Sequence, residues 1–281
     1  MPLIIPAFAK LNLTLDVLGR RPNGYHDIDS VMQTISLHDL ISIERTDCRV
    51  FDMVGPVIEG ENLVLKAARE LEGRVSRSLP FTIRLHKRIP VGSGLGGGSS
   101  DAAAFLLAAN QLYDLKLPWL ELVDIAKEVG QDVPFFLRGG TAYATGRGSN
   151  LQPLPPLPPE WMFLLVVPAV EVHTGQVYEA SDGTGPSAIR SPKLVAGLRA
   201  GAVELSLFGN DLEDVTARLY PTVAEERQRL RAKFPEVHMT GSGSAFYIAF
   251  RRMSEAGQAQ AIIRDLGVKS WLCRPVPAWQ P

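Results

Sequence analysis

The apolar positions of the chain change period several times, and each change predicts an element. Between residues 10 and 19 they alternate: Leu11, Leu13, Leu15 and Val17 fall on one face, Lys10, Asn12, Thr14 and Asp16 on the other. That is the period of a strand. The stretches 40–45 (LISIER) and 81–86 (FTIRLH) alternate likewise. Helical spacing takes over in 61–73, with Gly73 as the expected C-cap. It returns in 119–130, where Leu122, Ile125, Ala126 and Val129 form one stripe that Gly130 closes. From Ser99 to about Leu112 the chain is apolar nearly all round, the pattern of a central buried helix. Residues 162–168 predict a buried strand, in an apolar run too short to span a membrane. Further helices are expected near 192–200, 204–219, 222–234 and 254–266, a strand–glycine turn–strand at 237–250, and a last strand at 268–273. The fold class is therefore mixed α/β (α+β). Five prolines within 153–159 exclude a helix interior or a central strand there. They mark the expected division into domains 1–155 and 156–281, and a second loop is expected at 181–192.

Composition narrows this picture. With 281 residues and 46% apolar content, the chain can bury a substantial core. Twenty-nine basic side chains balance 30 acidic ones, without a basic block, so no nucleic-acid partner is expected. Cys48 and Cys273 lack CxxC spacing, which excludes a disulfide framework or a thiolate zinc site and suits a reducing compartment. The opening MPLIIPAFAKLNLTL carries Lys10 inside its apolar run and has no basic leader, so a cytoplasmic protein is expected.

The candidate chemistry begins at residues 92–98, where five of seven positions are glycine and Ser99, Ser100 and Asp101 follow. Residues 92–97 match GxGxxG, but the preceding strand alternates and is interrupted by KRIP, unlike the strand of a dinucleotide fold. No Lys-Ser/Thr follows the last glycine, so this is not a Walker A loop either. Bare backbone ahead of a helix suits phosphate, because the N–H groups can approach an anion and the helix adds its positive end. Ser99 and Ser100 are placed to cap that helix, to bond a phosphate or to hold Mg²⁺. The plain alternative is a capped turn beside a well-packed helix.

Four stretches taken together (6–39, 90–104, 130–148 and 240–250), with a smaller match at 208–215, resemble the GHMP-type kinases over nearly the whole chain. Within that superfamily, AKLNL…NGYH and GxDVPFF are similar to the branch acting on a CDP-linked methylerythritol in the non-mevalonate isoprenoid pathway. The resemblance implies two α/β lobes with the site in the cleft between them, and ATP- and Mg²⁺-dependent phosphorylation of the 2-hydroxyl. It places the catalytic pair on Lys10 and Asp132. ATP falls on Gly92, Ser93, Gly94, Leu95, Gly96, Gly97, Gly98, Ser99 and Ser100, with Asn62 and Lys87 near the adenine and Ser100 as a metal ligand. The acceptor falls on Asn12, Tyr25, His26 and Tyr178, with Thr240 and Gly241 near phosphates. Ser93 and Asp101 depart from the family's usual glycine or alanine and asparagine. Asp101 is expected to point away from the phosphates or to help with Mg²⁺.

Read without the resemblance, Lys10 is a solvated lysine at a strand start and Asp132 a helix N-cap. Tyr25 is then a turn-flanking aromatic, Tyr178 a helix core residue and 240–243 a hairpin turn. Three rivals follow: another GHMP small-alcohol kinase of homoserine or mevalonate type, an NAD(P)-binding oxidoreductase, and a GHMP-like binding protein without catalysis. Retention of both Lys10 and Asp132 argues against the last. The partners expected are small molecules, with no nucleic acid and no membrane, for a monomer or weak homodimer.

Overall fold

The structure, a computed structural model, describes residues 2–56, 60–183, 185–186 and 188–279. In chain order the elements are β1 (Leu3–Arg20), β2 (His26–Arg45), β3 (Val50–Val54), α1 (Leu63–Val75), β4 (Phe81–His86), α2 (Gly97–Leu112) and α3 (Trp119–Val129). There follow α4 (Val133–Arg138), β5 (Thr141–Gly146), β6 (Asn150–Pro153), β7 (Met162–Val166), α5 (Thr174–Ala180) and α6 (Ser191–Arg199). The chain ends with β8 (Gly209–Asn210), α7 (Leu212–Leu219), α8 (Pro221–Arg231), β9 (His238–Met239), β10 (Phe246–Phe250), α9 (Met253–Asp265) and β11 (Ser270–Cys273). Two positions of the expected 181–192 loop, Thr184 and Ser187, lie outside the described residues.

The chain divides into two compact units, and β1 and β2 each contribute residues to both. The first comprises Met1–Ala9, Leu37–Val91 and Gly96–Arg138, the second Lys10–Ser36, Gly92–Leu95 and Gly139–Pro281. In the first unit, β4 pairs antiparallel with Leu40–Arg45 of β2 and parallel with β3. Phe81, Ile83 and Leu85 enter one core with α1, α2 and α3, while Arg84 and His86 stay exposed. The alternation of FTIRLH reports this one-sided burial. Helix α2 is buried at Ala102–Ala104, Phe105, Leu106, Ala108 and Ala109, as its near-uniform apolarity requires.

Helix α1 corrects one expectation. Gly73 lies inside it, and the helix ends two residues later, where Ser76 takes a left-handed conformation (φ 49°) and its N–H bonds Glu72 O. Gly73 has no left-handed φ and open space around it, so nothing there ends the helix.

In the second unit, β7 is buried at every position between β10 and β11 in the order β11-β7-β10-β9. Ile28–Gln33 of β2 pairs with β5, which pairs with β6. The helix expected over 204–219 is broken. Leu205–Leu207 forms a 3₁₀ turn, and Gly209–Asn210 runs extended to pair with Thr14–Leu15 of β1. Only Leu212–Leu219 is α-helical, its first N–H bonded to Asn210 Oδ1 at 2.9 Å. Backbone pairing at the edge of β1 outweighs local helical periodicity. The proline-rich segment lies within this unit, where Leu157 and Trp161 are buried.

Candidate active site

The glycine-rich segment, Gly92–Leu95 of the second unit and Gly96–Gly98 of the first, runs into α2. Gly92, Gly94 and Gly96 have φ of 62°, 77° and 73°, while Ser93 and Leu95 between them do not have positive φ. Backbone that alternates in hand this way turns successive N–H groups to one side and makes an anion-binding concavity. Gly96 is the N-cap of α2 and contributes no side-chain cap. The first intrahelical bond runs from Ser100 N to Gly96 O at 2.9 Å, so the N–H groups of Gly97, Gly98 and Ser99 precede it. The expectation that Ser99 or Ser100 caps the helix is corrected: the helix begins two residues earlier, which puts both inside its first turns.

The turn carrying Asp132 belongs to the first unit. Gly130 ends α3, Val133 N bonds Gly130 O, and Asp132 stands half-buried directly before α4. A Cβ at Gly130 would lie 4.0 Å from Ser99 Oγ, so this turn starts against the head of α2. Asn62 spends its side chain on capping α1, accepting Val64 N–H at 2.8 Å. Lys87 turns its ammonium inward to Asp39 and Asp101. The Asp101 carboxyl turns to Lys87 in the core.

In the second unit, Lys10 is 4% exposed, which replaces the solvated lysine of the plain reading. Its Nζ donates to Asn12 Oδ1 and its backbone N–H to Leu95 O at 3.0 Å. The polar face of β1 is buried as well as the apolar one. Asn12 Nδ2 donates to Ser30 Oγ (2.8 Å), Ser30 Oγ to Thr14 O (2.6 Å), and Asp16 accepts the N–H groups of Arg190 and Ser191. Burying such groups is tolerable because each is bonded. Asn12 N also donates to Thr240 Oγ1 at 2.9 Å, which ties β1 to the 240–243 turn. That turn packs backbone to backbone on the glycine loop: a Cβ at Gly94 would meet Thr240 O at 2.3 Å, and one at Gly241 would meet Gly94 O at 2.8 Å. It is more than a hairpin end. Asn210 braces it by donating to Met239 O and Gly241 O.

The same unit gathers Tyr25, His26 and Tyr178. His26 is buried, its ring centroid 5.4 Å from that of Tyr178. Its Nε2 bonds Asp182 Oδ1 at 2.7 Å, and Arg20 holds the other oxygen at 2.6 Å. An ionised Asp182 can only accept, so neutral His26 carries its proton on Nε2 and keeps Nδ1 as an acceptor. Tyr25 is 49% exposed, with the Arg147 guanidinium carbon 3.5 Å from its ring centroid. Tyr178 packs on the unit's core as well as on His26. Sequence reasoning passed over Asp182, Arg147, Asn210 and Asp39. Asp39, Arg147 and Asn210 carried a signal, since they fall in the 6–39, 130–148 and 208–215 matches, and Asp182 carried none.

No helix among the described residues is long and apolar enough to cross a membrane. Residues 62–140 match the GHMP kinases N terminal domain. A 4-diphosphocytidyl-2-C-methyl-D-erythritol kinase of Caldanaerobacter subterraneus subsp. tengcongensis is 41% identical over 265 residues, 92% of each chain. The enzyme of that name from Burkholderia cenocepacia is 41% identical over 261 residues, 90% of this chain and 87% of the relative. A crystal structure of 4-(cytidine 5'-diphospho)-2C-methyl-D-erythritol kinase superposes with a TM-score of 0.81 at 35% identity, covering 97% of this chain and 99% of the other. Homoserine kinase from Cytophaga hutchinsonii, at 19% identity and a TM-score of 0.71, shares the fold.

Proposed function

The chain belongs to the 4-diphosphocytidyl-2-C-methyl-D-erythritol kinases of the GHMP kinase family, and from that membership we propose how its residues divide the work. It is an ATP-dependent kinase that phosphorylates the 2-hydroxyl of 4-diphosphocytidyl-2-C-methyl-D-erythritol in the non-mevalonate isoprenoid pathway. The observation that carries the assignment of roles is the alternating-handed loop 92–96 leading into an α2 terminus with no side-chain cap. Its N–H groups bind the phosphates of ATP, and the helix dipole adds to them. Asp132 accepts the proton of the 2-hydroxyl as that oxygen bonds the γ-phosphorus and the bond to the ADP oxygen breaks. Lys10 offsets the charge on the transferring group. Tyr25 and Tyr178 take the cytosine ring, and the Nδ1 acceptor of His26 suits the donor edge of its amino group.

Among the described residues no group of three or more His, Cys, Asp or Glu side chains could hold a metal. Mg²⁺ on a nucleotide needs only one or two protein ligands, because phosphates and water complete its shell. The hydroxyls of Ser99 and Ser100, left out of the helix cap, fit that requirement, and Ser100 is the ligand we assign. When bound, Mg²⁺ neutralises charge on the phosphate oxygens.

Purified protein given ATP and Mg²⁺ is expected to release ADP with the CDP-alcohol, and EDTA to abolish the release. Turnover of homoserine or mevalonate instead would replace the substrate and keep the loop. A second experiment isolates the loop. A Cβ at Gly98 meets only Leu63 Cδ1, at 3.6 Å, and φ there is not positive. Gly98→Glu therefore fits, and a carboxylate in the first turn stabilises a helix by ~0.3–1 kcal/mol. The same charge repels phosphate, so ATP affinity is expected to fall by ~10–100-fold while Tm holds or rises. Unchanged ATP titration in a stable variant would leave the loop as a structural turn.

A further inference from the structure

Three charged side chains behind the glycine loop take no part in the mechanism above. Lys87 stands just before the loop, Asp101 just after it on α2, and Asp39 on β2, and all three side chains are at most 2% exposed. Lys87 Nζ donates to Asp39 Oδ2 and, at 2.7 Å, to Asp101 Oδ2. Asp39 Oδ1 accepts the backbone N–H groups of Arg88 and Ile89, the first two residues of the limb entering the loop. Asp101 Oδ1 is buried without a hydrogen-bond partner among the described residues, so the Lys87 ammonium is what holds this carboxyl. A Cβ at Gly97 would come within 3.0 Å of Ile89 Cγ2 and 3.2 Å of Lys87 Nζ. The absent side chain at Gly97 thus makes room for the cluster rather than for a left-handed turn.

We propose that Lys87, Asp101 and Asp39 are positioning residues for ATP: a buried clasp closing residues 88–100 at the base, which fixes the entering limb and the head of α2 so that the loop keeps its phosphate-binding shape. The inference rests on the reading of that loop as a phosphate cradle. The bond between Lys87 and Asp101 spans the segment, and Asp39 anchors the limb beside it. One ammonium serves two carboxyls. Burial, with the Asp39 charge beside it and Lys87 opposing, pushes Asp101 up to about 8. Burial lowers the Lys87 pKa, but the two carboxylates outweigh it and raise the ammonium above its usual range. The titratable groups facing Asp101 are Asp39 from β2 and Lys87 from the end of β4.

The test compares Asp101→Ala, Asp101→Asn and the unaltered enzyme. Removing the carboxyl leaves Lys87 and Asp39 paired one to one, so Asp101→Ala is expected to fold. Its KM for ATP is expected to rise by ~10-fold or more, on the scale of misplacing a binding group by about 1 Å. The KM of the alcohol should hold. Asp101→Asn retains the oxygen that faces Lys87 and should restore the KM for ATP. Should Asp101→Ala fail to fold, Asp101→Ser takes its place, since its short hydroxyl cannot reach Lys87, and an unchanged KM for ATP in that variant overturns the clasp. An Asp101→Ala enzyme with unchanged KM for ATP overturns it too. If Gly98→Glu weakens ATP but the Asp101 variants do not, the clasp alone falls. If Gly98→Glu has no effect, the cradle falls and the clasp with it.

Discussion

Replacing Asp132 with Asn is expected to reduce kcat by ~10²–10⁴, the usual worth of a positioned general base, and to leave both KM values near their original level. The two side chains have almost the same volume and shape. Asp132 is half-buried in the turn that Gly130 opens, and a backbone bond from Val133 to Gly130 shapes that turn independently of the side chain. Asn also serves before a helix as well as Asp does, so α4 should keep its start. What the amide cannot do is accept a proton from an alcohol at neutral pH. The loss should therefore appear in kcat and kcat/KM together, as for an interaction made in the transition state. ATP titration and acceptor titration of the variant check that binding survives. Turnover within a few-fold of the original would mean that the hydroxyl proton leaves by another route, and Asp132 would revert to an ordinary helix-start residue.

The sequence made some of this legible and hid the rest for identifiable reasons. The alternation around Lys10 shows a strand, and a lysine on the polar side of a strand looks solvated. The groups that bury that side, Ser30, Thr240 and Ser191, arrive from up to 230 positions along the chain, so no local window contains them. Lys87 is similar. Its place near the glycine loop is visible, but the inward turn of its ammonium depends on Asp39, 48 positions away. The edge pairing that interrupts the 204–219 helix is equally non-local, because it needs Thr14 and Leu15 as partners. FTIRLH, by contrast, was read correctly because one face of its sheet is packed and the other is not, and a period of two records that directly. The glycine loop lies between these cases. Composition reveals bare backbone, but cannot say which glycine is bare for which reason.

That distinction yields the second large effect, since neighbouring glycines in one loop should respond to alanine with opposite signs. At Gly94 the new Cβ would lie 2.3 Å from Thr240 O, 3.0 Å from Gly243 O and 3.2 Å from Gly243 N. All three are backbone atoms, which cannot swing aside, and Asn210 and Asn12 hold the turn that carries them. The φ of 77° adds ~1–2 kcal/mol for any L side chain. Gly94→Ala is therefore expected to destabilise the second unit by about 4 kcal/mol or more, in the range that marks a specific steric cause. At 2–4 °C per kcal/mol for a chain of this size, Tm should fall by roughly 10 °C, or the protein should fail to accumulate. At Gly98 the residue is helical, with open space beyond Leu63, and alanine should raise stability by ~0.5–1 kcal/mol. Paired melts of the two variants read both signs. Equal tolerance at both positions would mean that the 240–243 turn can withdraw from the loop. The left-handed run would then owe its shape to phosphate contact alone. If the close packing of Gly94 on Gly241 is what forbids the methyl, ATP cannot rescue it, because no ligand relieves a clash between backbone atoms.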